Sequence, residues 1–308
     1  MGTFRLADLS FTQLDALDRS KTAVLFAVSP LEEHGPHLPV GVDFFNAEFF
    51  NSQLAERINR VKPDWTVLIG PTLPIGASAF DAPGTLLARV RTVRNATVDY
   101  GAALARHGFR YILVTNAHGG PRHIVALDEA AVAVSRRYSV RMLSVSGPVI
   151  WSLLRGRYND RLEFLLGRPL IPAERDAIRG DAHAGMWETS LMLRMKPELV
   201  GAGYSALPSM RFTLLDALRK NYPLRLRNQM GYIGSPAAAS SEFGEAAQQI
   251  LLDAAWELIS PALDAANDSW QRTSVFYKVP FLRSSFPYLA AGFALLIAAA
   301  LAWWLQFQ

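Results

Sequence analysis

Cysteine is absent from the 308 residues, which excludes disulfides and thiolate metal sites and leaves histidine and the carboxylates as strong ligand donors. That absence also fits a cytoplasmic setting. Charge is sparse as well: 19% of residues are charged, and basic residues exceed acidic ones by four. The arginines are scattered, and no basic run interleaved with aromatics occurs, so no surface that tracks a nucleic-acid backbone is expected. The first residues, MGTFRLADLSFTQLDAL, carry Asp8 and Asp15 and lack a basic region followed by an unbroken apolar core. No signal peptide is expected there. What the chain has in quantity is apolar residues, 50% of the total, enough for a well-buried core in one large α/β domain, or in a domain of about 250 residues with an appendage.

One long hydrophobic run stands at the end of the chain. From Phe286 to Leu305 there is no charge, and Trp303 and Trp304 sit near its end. At about 1.5 Å per residue this length matches roughly 30 Å of hydrocarbon, so a single transmembrane helix is expected. Lys278 and Arg283 precede it, which predicts a single-pass C-terminal membrane anchor with the catalytic domain in the cytoplasm. The expected division is a catalytic domain over 1–268, a linker over 269–285 and the transmembrane helix over 286–305.

Upstream, short apolar runs alternate with longer amphipathic ones, the pattern of βα units around a mostly parallel sheet. Strands are expected over Ala23–Val28, Thr66–Gly70, Tyr111–Thr115 and Val140–Val145. Helices are expected over Phe45–Asn59, Val93–His107 and Ile124–Tyr138, giving a single Rossmann-like α/β domain. Two stretches, 155–179 and 201–241, are rich in Gly and Pro or Arg and read as loops over a site. A last helix, 242–267, is expected to kink or end at Pro261.

The chemistry concentrates in three short stretches. Ser29-Pro-Leu-Glu-Glu-His-Gly-Pro-His-Leu-Pro-Val-Gly-Val-Asp43 follows the first of these strands. It places Glu32, Glu33, His34, His37 and Asp43 where ligands gather in open α/β sheets, at the carboxyl ends of strands. Carboxylates this dense call for a cation. After the third strand comes Asn116-Ala-His-Gly-Gly120, with His118 at the strand end and glycines that let the backbone pass close to a bound group. The third stretch, Asp181-Ala-His-Ala-Gly-Met-Trp-Glu188, again joins a histidine to a carboxylate. Four of the six histidines fall in these stretches, which is the case for a metal site. A sulfur-free N/O donor set suits one or two divalent ions of Zn, Mn or Fe.

LEEHGPHLPVGVD, NAHGG and DAHAGMWETS, in that order, resemble the signature segments of the creatininase (creatinine amidohydrolase) family over roughly residues 5 to 265. The resemblance implies a parallel-sheet α/β fold, assembly into homo-oligomers, and metal-dependent hydrolysis of a C–N bond in a small amide or formamide. It places metal ligands at Glu32, His34, Asp43, His118 and Glu188, with Asp43 as the bridge between ions. His183 is the expected proton donor to the leaving nitrogen, Glu33 a general base or a supporting group, and His37 a residue that orients a ligand. Ser78, in a segment similar to the family's G-x-S…PGT loop, is expected at the substrate. Where creatininase has an aromatic residue, a ligating Glu and a Trp, this chain has Gly119, Gly120 and Arg179. That places Gly119 and Arg179 at the substrate, leaves the second ion to Glu188, and argues against creatinine itself. The pattern is closer to members with HGG and HAGxxET motifs, among them formamide hydrolases of flavin and deazaflavin precursors and a peptidase of mycofactocin maturation. The competing readings are a non-catalytic, membrane-tethered binding protein of the same fold and an unrelated metal-dependent phosphoesterase.

Overall fold

The computed structural model describes residues 1–154, 156–211 and 230–306. Five parallel strands form its sheet: β1 (Gly2–Arg5), β2 (Thr22–Ala27), β3 (Thr66–Ile69), β4 (Tyr111–Thr115) and β5 (Arg141–Ser144), in the order β1-β3-β2-β4-β5. Every residue of β2 is buried, as expected for a central parallel strand covered on both faces. Registers such as Val24 beside Leu68 and Ile112 tie the middle strands together.

The helices in chain order are α1 (Phe11–Asp15), α2 (Val42–Val61), α3 (Val90–Arg106), α4 (Pro121–Tyr138), α5 (Ser146–Leu154), α6 (Asn159–Leu166), α7 (Pro172–Gly180), α8 (Met186–Met195), α9 (Ser241–Ala262) and α10 (Phe286–Gln306). Alternation along the strands sends Leu25, Val67, Leu113 and Leu143 to one face, where they meet Leu54 and Ile58 of α2 and Ile259 of α9. Phe26, Ile112, Val114 and Met142 face the other way, against Val93 of α3 and Leu127 and Val134 of α4. The α/β architecture with a parallel sheet flanked by helices is therefore as the sequence predicts.

Several boundaries differ from expectation. β1 was not anticipated, because its four residues are mostly exposed and carry no apolar alternation. The 155–179 stretch is largely helical, in α6 and α7. Its glycine and proline act as caps: Gly167 adopts φ +65° at the end of α6, and Pro172 opens α7. Of the 201–241 stretch, residues 212–229, including Pro223, lie outside the described residues. The rest contains short 3-10 turns at Ala202–Ala206 and Pro236–Ala238. Pro261 lies in the last turn of α9, which ends at Ala262.

The transmembrane helix and the membrane location are corrected. Among the described residues no helix is long and apolar enough to cross a membrane. The helix start is also turned onto the domain: the guanidinium of Arg91 lies 4.4 Å over the ring of Tyr288, and Ser284 donates to Glu129. The side chains of Trp303 and Trp304 lie outside the described residues.

Residues just before α10 are held against α4. Ser274 is fully buried, and its backbone N–H (3.0 Å) and hydroxyl (2.6 Å) both donate to the carboxylate of Asp128. Burial pushes the Asp128 carboxyl up to about 6, against the lowering effect of those two hydrogen bonds. A carboxyl raised above its unfolded value of about 3.9 contributes stability that is full below about pH 4 and is lost as pH rises through about 6. Asp128→Asn is therefore expected to flatten this part of the stability profile. Between about pH 4 and pH 7 the wild-type unfolding free energy should fall relative to the variant by on the order of 2–3 kcal/mol. Urea titrations of both proteins at the two pH values measure it, and parallel pH profiles would refute it.

Candidate metal centre

The chain leaves β2 toward β3 on one side and later places β4 on the other, so the carboxyl ends of β2 and β4 flank the point where the winding reverses. The loop after β2 folds back on itself through Glu32 N–H to Val40 C=O, 2.9 Å. This return sets Asp43, in the first turn of α2, beside Glu32 and His34. His118 arrives from the loop after β4. Asn116 clamps its backbone, accepting from the His118 N–H (2.9 Å) and donating to its C=O (2.6 Å). Ser29 adds a donor to Asn116 and an acceptor for the Ala117 N–H. Glu188 comes from the first turn of α8.

The imidazole orientations are fixed by backbone carbonyls. His34 Nδ1 lies 2.9 Å from the Glu32 C=O, so that nitrogen donates and Nε2 keeps its lone pair. Nε2 faces Asp43 Oδ1 at 3.6 Å and Glu188 Oε2 at 3.5 Å. In His118 the roles are exchanged: Nε2 donates to the Ala77 C=O at 3.1 Å. Its Nδ1 faces Glu32 Oε2 at 2.9 Å and Asp43 Oδ2 at 3.3 Å. Each neutral ring thus aims a lone pair at carboxylate lone pairs. Only positive charge placed between them makes that arrangement favourable.

Three groups have ligand atoms within 4.8 Å of one another: Glu32–His34–His183, and the pair Glu32–Asp43–His118 and His34–Asp43–Glu188. Asp43 belongs to both, one oxygen to each. Glu32, His34 and Asp43 are at most 1% exposed, and Glu32 Oε2, His34 Nε2 and Asp43 Oδ2 have no hydrogen-bond partner. Burying such atoms unpaired is costly, so the donor set fits one or two divalent ions.

The proton affinities show the same demand. Burial alone would lower His118, but the Glu32 and Asp43 carboxylates carry it up to about 10. His34 is likewise lowered by burial and raised well above the usual range by Asp43 and Glu188. Asp43, despite burial, is held far below the usual carboxylate range by His34 and His118. His37 and His123 go the other way. Burial, then the neighbouring His34 or His118, brings them to about 4 and about 3. His123 stays neutral, donating to the Val28 C=O at 3.0 Å, and His37 meets the Thr189 hydroxyl at 2.9 Å.

The remaining expected site residues are placed unevenly. The His183 ring stacks 4.4 Å from His34 and 4.7 Å from Phe80, and its Nε2 donates to the Glu33 C=O at 2.8 Å. The two-way backbone pairing of His183 with Ile233 fixes its position. The Glu33 carboxylate lies 3.7 Å from His183 Nε2 and accepts from the Gly35 N–H. Ser78 has φ +63°, an uncommon conformation for a residue with a side chain, and lines a cavity beside the cluster, as does Gly119. Gly120 is needed for close approach: a Cβ there meets His118 Nε2 at 2.3 Å. Arg179 is exposed in the last turn of α7 and does not line that cavity.

Sequence reasoning passed over Ser29, Asn116 and Asp181. The first two flank the motif residues at strand ends, which is the signal they offered. Asp181 accepts from the Trp187 N–H at 2.6 Å at the start of α8. Burial, partly opposed by that bond and helped by Glu188, pushes it up to about 8.

Comparison with known proteins gives the arrangement its family. A mycofactocin precursor peptide peptidase of Mycobacterium ulcerans (strain Agy99) is 28% identical over 251 residues, 78% of this chain and 85% of that protein. A creatinine amidohydrolase of Pseudomonas putida is 27% identical over 213 residues, 63% of this chain and 73% of that protein. The solved structure titled "Creatininase Mn" shares the fold with a TM-score of 0.63 at 23% identity, covering 83% of this chain and 97% of that one. The Creatininase model, described as creatinine amidohydrolase, matches residues 7–259, and the chain therefore belongs to the creatininase family of hydrolases.

Proposed function

We propose that the chain is a metal-dependent amidohydrolase that cleaves the C–N bond of an amide or formamide. The observation that carries this reading is Asp43, whose two oxygens face two separate sets of donors. Glu32 and His118 would hold one ion, His34 and Glu188 the other, with Asp43 between them. Bound there, divalent cations lower the pKa of water and polarise a carbonyl oxygen. Hydrolysis adds the hydroxyl of water to the carbonyl carbon, breaks the C–N bond and transfers a proton to the departing nitrogen. His183 is assigned that proton transfer. Its Nε2 is tied to the Glu33 carbonyl, so Nδ1 is the atom that takes up and gives the proton. Glu33 holds the imidazole in place through its C=O and its nearby carboxylate.

A peptide substrate is the second reading, favoured by the similarity to the Mycobacterium ulcerans peptidase. Zn, Mn and Fe all suit these donors, and assembly of several copies belongs to the same reading. Metal analysis of the purified full chain, followed by assays on small amides, formamides, short peptides and phosphate esters, tests it. Cleavage of C–N substrates that is lost on chelation and restored by metal is expected. Turnover of phosphate esters alone would overturn it.

A further inference from the structure

The cluster opens onto a cavity of about 510 Å³, within the size range of small-molecule sites. Its walls come from parts of the chain far apart in sequence. Phe49 and Phe50 come from α2, Ile150 and Leu153 from α5, Trp187 from α8, and Phe276 from the 3-10 turn Val275–Lys278. The polar lining outside the cluster is small and largely committed elsewhere. Asn46 donates to the Val42 C=O, Asn116 clamps His118, and Ser146 bonds with the Asn116 backbone. The ionisable lining residues are His183 and Glu188 at the cluster and Asp181, which accepts from the Trp187 N–H, and among the described residues no Lys or Arg reaches the wall. A substrate bearing phosphate or carboxylate away from its scissile bond finds no counter-ion among the described lining residues. A small polar amide leaves the aromatic wall uncovered.

We infer that the substrate carries, beside its scissile C–N bond, a bulky, apolar and uncharged group that seats in this chamber against Phe276 and Trp187. This deepens, and rests on, the hydrolase reading above. Phe276 lies beyond residue 259, where the family match ends. It is positioned by the buried Ser274–Asp128 contact, so the segment after α9 shapes specificity in this chain.

The test is calorimetric binding of a non-hydrolysable series, N-alkyl methanesulfonamides from methyl to hexyl, to the purified full chain. Affinity should rise about fourfold per methylene over the series, with a negative heat-capacity change. Hexyl analogues ending in carboxylate or ammonium should bind at least about tenfold more weakly than the hexyl compound. Phe276→Ala should reduce the hexyl-to-methyl affinity ratio by roughly three- to tenfold, and Phe276→Leu should restore most of it. A flat series, or tighter binding of either charged analogue, overturns the inference, as does a ratio unchanged in a folded Phe276→Ala protein. Binding is read without turnover, so a steep series with no hydrolysis of any amide strikes the proposed reaction and leaves the chamber standing. Hydrolysis with a flat series does the reverse.

Discussion

Asp43→Ala is expected to leave the protein with little or no bound metal and to lower kcat by roughly 10³-fold or more. Asp43 is the residue common to both donor groups, with Oδ1 3.6 Å from His34 and Oδ2 3.3 Å from His118. Loss of His118 or Glu188 removes a donor from one group, whereas loss of Asp43 weakens both groups that contain it. The thermal consequence has a sign of its own. The donors come from the loop after β2, the loop after β4 and α8, so metal held by them would tie these segments together and the wild type should melt higher with metal than after chelation. In the variant that difference should disappear. The chelated variant should be less stable than chelated wild type, because the carboxylate that faces both His34 and His118 is gone. Elemental analysis, kcat and melting curves with and without chelator decide the matter. Normal metal content and turnover in Asp43→Ala would remove the two-ion arrangement. Asp43→Asn separates charge from shape, since it keeps the side-chain volume and loses one anionic donor.

The parallel sheet was legible because buried strands read as apolar runs and the helices between them carry a clear apolar face. The cluster of candidate metal-binding residues was legible because its side chains follow strand ends, where the chain itself must pass: Glu32, His34 and Asp43 after β2, His118 after β4. The supports were harder to see. Ser29 and Asn116 are ordinary polar residues until the backbone they hold is known. Gly167 and Pro172 read as breakers because the same residues that interrupt a helix also cap one, and only the neighbouring contacts separate the two uses. The hydrophobic end segment met a length rule for spanning, but that rule takes no account of Arg91 and Glu129 holding the start of α10 to the domain. The apolar chamber was invisible in the sequence. Phe50, Leu153, Trp187 and Phe276 share no periodicity and become neighbours only through the fold. Arg179 shows the converse, since alignment with an enclosing residue elsewhere did not bring its side chain to the cavity.

His183→Ala is expected to lower kcat by roughly 10²-fold while leaving bound metal near the wild-type level, with KM changed far less than kcat. The His183 tautomer is fixed. Nε2 donates to the Glu33 carbonyl at 2.8 Å, so the ring is held in one orientation and offers its second nitrogen for proton transfer. His183 also lines the cavity, between the donor cluster and the apolar wall. A group there would meet the departing nitrogen of a substrate whose carbonyl lay at the cluster. The same location raises a rival role. Glu32, His34 and His183 form a third group within 4.8 Å, so the imidazole is within reach of an ion. The two roles separate cleanly by experiment. A ligand lost to alanine takes metal with it, whereas a proton donor lost to alanine leaves metal in place and slows substrates with poor leaving groups most. An anilide, whose nitrogen leaves with less help from a proton, should therefore lose less than an alkyl amide of the same acyl group. Loss of metal in His183→Ala assigns the ring to the metal centre. Unchanged kcat with both substrates makes it a packing residue between His34 and Phe80.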